Sequence, residues 1–410
     1  MSRDRASNAV DTRLDETSLL AEARRQTGLE DFGDESFREP LRKLLWSLEH
    51  EARLTPAGRA GQRVRIVGLL VARLQTRFWL ARHPEIEDED VDVRFVVVGF
   101  PRTGTTLLQR ILARDPRSGW LAWWECRHPA PLPGWRADEA ARVRDPRIDR
   151  ALAEVAAMLA ANPALAAVHP LDALAPDEDL MLLEHAFQSS TPAGGNHVPT
   201  YLRWHLAQPG QAAYADHARF LRFLQWQKRM RGEPVGPFVL KAPHHMLHLD
   251  RLLERYPRAT VVQTHRDPLD TLPSLASMAL ELRRLASDAV DPRECADYAL
   301  TTARARLAAT ERARAQAGDA RFVDVWFGDV VKDAMAVVER IYAATGLDLP
   351  DGVRDAMARF IAENGRDKRP AHGYTLAQFG IEADRIRREF AAYRENHLPR
   401  DAPHDRRSAR

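Results

Sequence analysis

The stretch VVVGFPRTGTTLLQR, Val96 to Arg110, constrains this chain more than any other. Its β-branched run, Arg94 to Gly99, reads as a short, fully buried strand. A turn carrying Gly99 and Gly104 follows, and Thr105 to Ala113 reads as a helix. Strand, glycine-bearing turn, helix is the order of a phosphate-binding loop. Gly99, four residues, then Gly104 fits the first part of G-x-x-x-x-G-K-[ST], but Thr105 stands where the lysine is required. That lysine reaches the outer phosphates of a nucleoside triphosphate. Without it the cradle remains: Gly104 permits close approach, and Thr105 and Thr106 open the helix with free N–H groups and hydroxyls. The positive charge has moved to Arg102, inside the turn. Such a loop suits one terminal phosphate group better than a magnesium triphosphate.

Three more strand-helix pairs follow. Phe238 to Lys241 reads as a strand with a helix from His245 to Arg255, and Ala259 to Thr264 as a strand with a helix from Pro268 to Leu285. Phe322 to Phe327 is a fourth strand, with a helix from Asp333 to Thr345 that stops at Gly346. Alternation of this kind implies an α/β fold, a parallel sheet between helical layers. Ligands in such sheets sit at the carboxyl ends of the strands, which groups the regions of Phe100, Lys241, His265 and Phe327. Before the first strand, Leu41, Leu44, Leu45 and Leu48, then Ile66, Leu69, Leu70, Leu74 and Phe78, follow helical spacing. The expected organisation is a helical N-terminal region over residues 1–90, its first fifteen or so disordered, then an α/β domain over 91–400. A largely helical cap is inserted at about 129–234, and 401–410 form a solvated tail.

With 410 residues, 45% hydrophobic and 29% charged, the chain can build a large core. A net charge of +2 argues against nucleic acid as a main partner. No stretch is long and apolar enough to span a bilayer, and the N-terminus carries no apolar run of the secretory kind. Cys126 and Cys295 read as reduced thiols. A cytoplasmic protein is the expectation.

The segment PRTGTTLL, Pro101 to Leu108, resembles the 5′-phosphosulfate loop of the sulfotransferases that use 3′-phosphoadenosine 5′-phosphosulfate (PAPS). The segment from Phe238 to Met278 resembles the family's second signature: a strand ending in Lys241, a strand ending in Arg266, and Ser274 eight positions on. NGRDKRPAHGYTLAQF, Asn364 to Phe379, looks like the basic C-terminal loop of the bacterial branch. The resemblance implies a P-loop-like three-layer fold and transfer of a sulfuryl group from PAPS to a hydroxyl or amine. Arg102, Thr103, Gly104, Thr105 and Thr106 would hold the 5′-phosphate. Arg266 and Ser274 would hold the 3′-phosphate, with Lys368 and Arg369 closing over it. Lys241 would stabilise charge on the bridging oxygen. The acceptor's base is open between Glu125, His245 and His244.

No metal is required by that mechanism, and the cap histidines His169, His185, His197 and His205 show no tight ligand spacing. Trp120, Trp123, Trp124 and Trp135 suit either core packing or an aromatic or carbohydrate pocket. Asp177, Glu178 and Asp179 either attract a cationic acceptor or charge a helix N-terminus. The acceptor is a small molecule, carbohydrate or lipid, and a homodimer stays open. Two other readings compete. One is a P-loop kinase or NTPase. The other is a catalytically silent nucleotide-binding module that docks partners through its Arg-rich helix, ARARLAATERARAQ from Ala303.

Overall fold

The computed structural model describes residues 11–163, 171–364 and 375–399. Lys368, Arg369, His169 and the tail 401–410 lie outside them. Four parallel strands form one sheet: β1 (Val93–Gly99), β2 (Phe238–Lys241), β3 (Thr260–His265) and β4 (Phe322–Trp326), in the order β2-β1-β3-β4. All four were legible as apolar runs. The pairing brings Val97 opposite Lys241, Gly99 opposite Thr264 and His265 opposite Trp326. The carboxyl ends of the strands therefore line one edge.

Alternate side chains leave the sheet on opposite faces. Val96, Val98, Leu240 and Val261 join a large cluster, while Phe95, Val97, Val239 and Val262 join a smaller one. A register shift between Val93 and Phe95 puts Val93 on the same side as Val96. The smaller layer is built from the helices Thr105–Leu112, Ala334–Ala344 and Asp351–Glu363. The larger layer combines the N-terminal helices with the inserted segment in one core. Leu41, Leu44, Leu45 and Leu48 are buried on the helix Arg38–His50, as their spacing requires.

Polar ties fix the N-terminal helices onto the insertion. Ser47 Oγ accepts from the Tyr201 N–H at 2.9 Å, Arg65 pairs with Glu184 at 2.6 Å, and Arg73 with Asp216 at 2.9 Å. Leu14 is buried too, and the Arg13 carbonyl accepts from Arg63, so the described part of the N-terminus packs. Cys126 and Cys295 are buried and unpaired. No helix among the described residues is long and apolar enough to cross a membrane.

Strand and helix ends after the first loop fall mostly within one or two residues of expectation, and two regions differ more. The helix expected from His245 begins at Leu249, because Pro243–Leu247 form a tight 3-10 turn first. After β4 an extra short helix, Phe327–Lys332, precedes the expected one.

Candidate active site

The loop after β1 is shaped by two left-handed residues, Arg102 at φ 72° and Gly104 at φ 86°. For Gly104 this is unstrained. For Arg102 it costs on the order of 1 kcal/mol, which the surrounding contacts must offset. Gly99 is needed for space, since a Cβ there would lie 2.1 Å from Thr264 Oγ1. The Thr103 hydroxyl is turned inward, donating to the Phe100 carbonyl at 2.6 Å and meeting Thr264 Oγ1 at 2.6 Å. Thr103 thus braces the loop with its side chain and can offer an anion only its backbone. Gly104 is the N-cap of the helix Thr105–Leu112, which has no side-chain cap. Its first N–H groups are donors without an intrahelical partner, at the positive end of the helix dipole.

Lys241 ends β2 and is fully buried. Its Nζ donates to Glu178 Oε1 at 2.9 Å and to Thr106 Oγ1 at 3.3 Å. The ammonium therefore bridges the start of the helix Thr105–Leu112 and an acidic segment. Asp177 Oδ1 lies 3.9 Å from the same nitrogen.

Asp179 holds this arrangement from behind. Its Oδ1 accepts from the Lys241 backbone N–H at 2.9 Å. Its Oδ2 accepts from His217 Nε2 at 2.7 Å and His245 Nε2 at 2.8 Å. His245 Nδ1 pairs with the Tyr214 hydroxyl at 2.8 Å. Burial alone would raise the Asp179 carboxyl, but the two imidazoles and their hydrogen bonds hold it well below the usual range. The three potential ligand atoms of Asp179, His217 and His245 lie within 4.8 Å of one another. The carboxylate–imidazole distances are hydrogen-bond lengths, shorter than the roughly 3.3 Å that separates two ligands of a tetrahedral zinc. The cluster is a hydrogen-bonded hub.

Arg266 follows β3 directly. Its Nη1 donates to the Arg102 carbonyl at 3.1 Å, its Nε to Asp270 Oδ2 at 3.4 Å, and its guanidinium carbon stands 4.4 Å from the Phe327 ring centroid. Two segments 164 residues apart in sequence thus meet at one strand edge. Ser274 is buried on the helix Pro268–Arg283, whose N-terminus Asp267 caps by accepting from the Leu269 N–H at 3.0 Å. The C-terminal helix Ala391–His397 braces both segments. Tyr393 packs 5.5 Å from Phe100, and Arg394 donates to Asp267 at 2.9 Å.

The candidates for the base have other partners. Glu125 is 1% exposed, with both oxygens committed. Oε2 accepts from the Ala122 N–H at 2.9 Å and Lys228 Nζ at 2.8 Å, and Oε1 from Arg231 at 2.5 Å. Those contacts tie the Trp123–Arg127 helix to the end of the helix Gln211–Met230, and none reaches Lys241 or the loop. Trp124 stacks under Arg147 and Arg231 in the same node. Glu125→Gln is therefore expected to cost about 3 kcal/mol of stability, by leaving Lys228 and Arg231 without part of their counter-charge. The folded fraction should keep kcat within a few-fold. Urea unfolding beside turnover per folded enzyme checks this, and a large kcat loss at unchanged stability would return Glu125 to the candidates.

His245 has both ring nitrogens engaged in the hub. His244 makes one bond, Nδ1 to Ser190 Oγ at 3.3 Å, and burial, aided by His205 and His248 nearby, pushes its pKa well down. The acid that faces Lys241 is Glu178. Its local charge run is compatible with a helix N-terminus, and only the pairing of residues 63 apart reveals its place. Asp179 is the N-cap residue of Leu180–Glu184 by position, yet its side chain makes no capping bond.

Residues 94–351 match the sulfotransferase family. Sulfotransferase STF1 from Mycobacterium tuberculosis is 31% identical, over 93% of this chain and 100% of that one, with a TM-score of 0.79. Sulfotransferase STF9 from Mycobacterium avium is 26% identical, over 98% of this chain and 99% of that one, with a TM-score of 0.84. Among curated proteins none matches. A family match over most of the sheet and a whole-length structural likeness carry the same conclusion: this chain belongs to the sulfotransferase family and is a transferase.

Proposed function

We propose that the protein transfers the sulfuryl group of PAPS to a hydroxyl or amine of a small-molecule, carbohydrate or lipid acceptor. The observation that carries the donor assignment is the bond from Arg266 to the Arg102 carbonyl. It joins a loop built for one terminal phosphate to a guanidinium whose planar fork suits another. A nucleotide with phosphates at both 5′ and 3′ positions fits that pair of grips.

The roles follow from position. The N–H groups of Arg102 to Thr106 hold the 5′-phosphate against the helix N-terminus. Arg266 and Ser274 take the 3′-phosphate, and Lys368 and Arg369 supply further charge to it. In the reaction an acceptor oxygen bonds to sulfur, the sulfur–oxygen bond to the 5′-phosphate breaks, and its electron pair stays on the phosphate. Lys241 donates a hydrogen bond to that departing oxygen. Glu178, released as Lys241 turns to the phosphate, takes the acceptor proton. It is half-buried and already at hydrogen-bond distance from Lys241, whereas Glu125 and His245 are saturated by other partners.

Calorimetry separates this reading from a kinase. Adenosine 3′,5′-bisphosphate should bind at micromolar or better affinity, and more tightly than ATP with Mg²⁺. Radiolabelled-sulfate transfer from PAPS to an acceptor panel then tests for a silent module. Tight Mg-ATP binding with no response to the bisphosphate sinks the proposal.

A further inference from the structure

Most buried cations in this chain are neutralised. Arg147 is paired with Asp145 at 2.6 Å and Arg73 with Asp216 at 2.9 Å. Arg306 is not. It lies on the helix Pro292–Ala317 and is 4% exposed. Its one hydrogen bond among the described residues is long, Nη2 to Ser190 Oγ at 3.4 Å, and its Nε has no partner. A guanidinium taken out of water without a counter-charge costs several kcal/mol. Such a group calls for an occupant.

Its neighbours are unsatisfied in the same way. His205, on the helix Pro199–Leu206, is 1% exposed, and neither ring nitrogen has a partner among the described residues. His244 is 1% exposed and, among the described residues, makes a single bond, to the same Ser190 Oγ, at 3.3 Å. The two imidazole rings lie 5.3 Å apart, centroid to centroid. Four polar side chains from four segments thus gather in a buried place with donors to spare. Burial pushes His205 down to about 3 and His244 well down, so both rings are neutral near pH 7 and each keeps one N–H to give. The place adjoins the reaction centre. His244 is three residues past Lys241, on the 3-10 turn Pro243–Leu247, and its ring lies 6.5 Å from that of His245 in the hub, centroid to centroid.

We propose that Arg306, Ser190, His205 and His244 form a receptor for a carboxylate carried by the acceptor, apart from the hydroxyl or amine that takes the sulfuryl group. This rests on the sulfotransferase reading above and names the acceptor class: hydroxy or amino acids in the broad sense, anchored by the acid. A planar fork and two neutral imidazoles match two carboxylate oxygens. The anchor would offset the desolvation of Arg306 and orient the nucleophile next to Glu178.

The test uses the full chain saturated with adenosine 3′,5′-bisphosphate, so that the phosphate loop is filled. Sodium butyrate is titrated against butyramide and against sodium chloride at matched ionic strength, reading thermal melting and binding heat. The wild type should be stabilised by butyrate and not by butyramide. Arg306→Met should weaken butyrate binding at least tenfold. Without carboxylate it should melt at or above the wild-type temperature, because an uncompensated buried charge has gone. His205→Phe, which keeps the ring, should weaken butyrate several-fold. Butyrate acting no better than butyramide, an equal response in both variants, or an Arg306→Met chain that melts lower or does not fold would each overturn the proposal. Should the bisphosphate fail to bind while butyrate still acts through Arg306, the donor assignment falls and the receptor stands.

Discussion

Lys241→Ala is expected to lower kcat by ~10²–10³-fold, the range for losing one preorganised donor at a developing oxyanion. The affinity for PAPS itself should change less than tenfold, since its bridging oxygen is still bonded to sulfur and gains charge only as that bond breaks. The variant will also be less stable. Glu178 and Asp177 lose the ammonium that sits 2.9 Å and 3.9 Å from their oxygens. Melting curves must therefore accompany the kinetics, and rates be given per folded molecule. Glu178→Gln removes the proposed base while keeping the shape. It should also act on kcat with the donor held as before. The double variant should be little worse than the poorer single one, because the two groups serve one proton and one leaving oxygen. Turnover of Lys241→Ala within tenfold of wild type would take this lysine out of the chemistry.

What the sequence disclosed divides by distance along the chain. β2 was read with its observed bounds because it lies in a short apolar-stemmed run between Pro237 and Pro243. The strand, turn and helix at Val93–Leu112 were legible for the same reason, being a local pattern of glycines after a β-branched run. Lys241 and Arg266 were placed by their positions at strand ends. Asp270, four positions past Arg266, was a legible partner for it; the distant partners of these residues were not legible. Glu178 reaches Lys241 across 63 positions, and Asp179 reaches His217 and His245 across 38 and 66. A charge run reads alike whether it caps a helix or builds a hub. The partners of Glu125 were hidden for a related reason, since nothing near it in sequence shows that Lys228 and Arg231 bond to it. Arg306 did leave a trace. Ala299, Ala303, Arg306, Thr310 and Ala313 are all buried on the helix Pro292–Ala317, at the i, i+3, i+4 spacing of one face. An arginine on that stripe stands apart from the exposed Arg304 and Arg312 of the same run.

Arg266→Ala carries the other large expectation, a loss of about 2–4 kcal/mol in binding adenosine 3′,5′-bisphosphate. That is roughly 30- to 1,000-fold in Kd. Two causes can produce such a loss and they separate cleanly. Arg266 also donates to the Arg102 carbonyl, so its removal can loosen the loop proposed to grip the 5′-phosphate. Loosening would weaken any nucleotide bound there. A lost 3′-phosphate contact would weaken only ligands that carry one. Adenosine 5′-phosphate, which lacks that group, is the control. Wild type should prefer the bisphosphate strongly, and Arg266→Ala should bind the two ligands almost alike, with the monophosphate affinity close to wild type. If both ligands weaken together, Arg266 is a brace for the Arg102 turn, and the 3′-phosphate must be sought elsewhere, at Ser274 or among Lys368 and Arg369. If neither weakens, the two grips do not hold one nucleotide. The phosphate loop would then serve a ligand with a single terminal anion, a conclusion that its missing lysine allows.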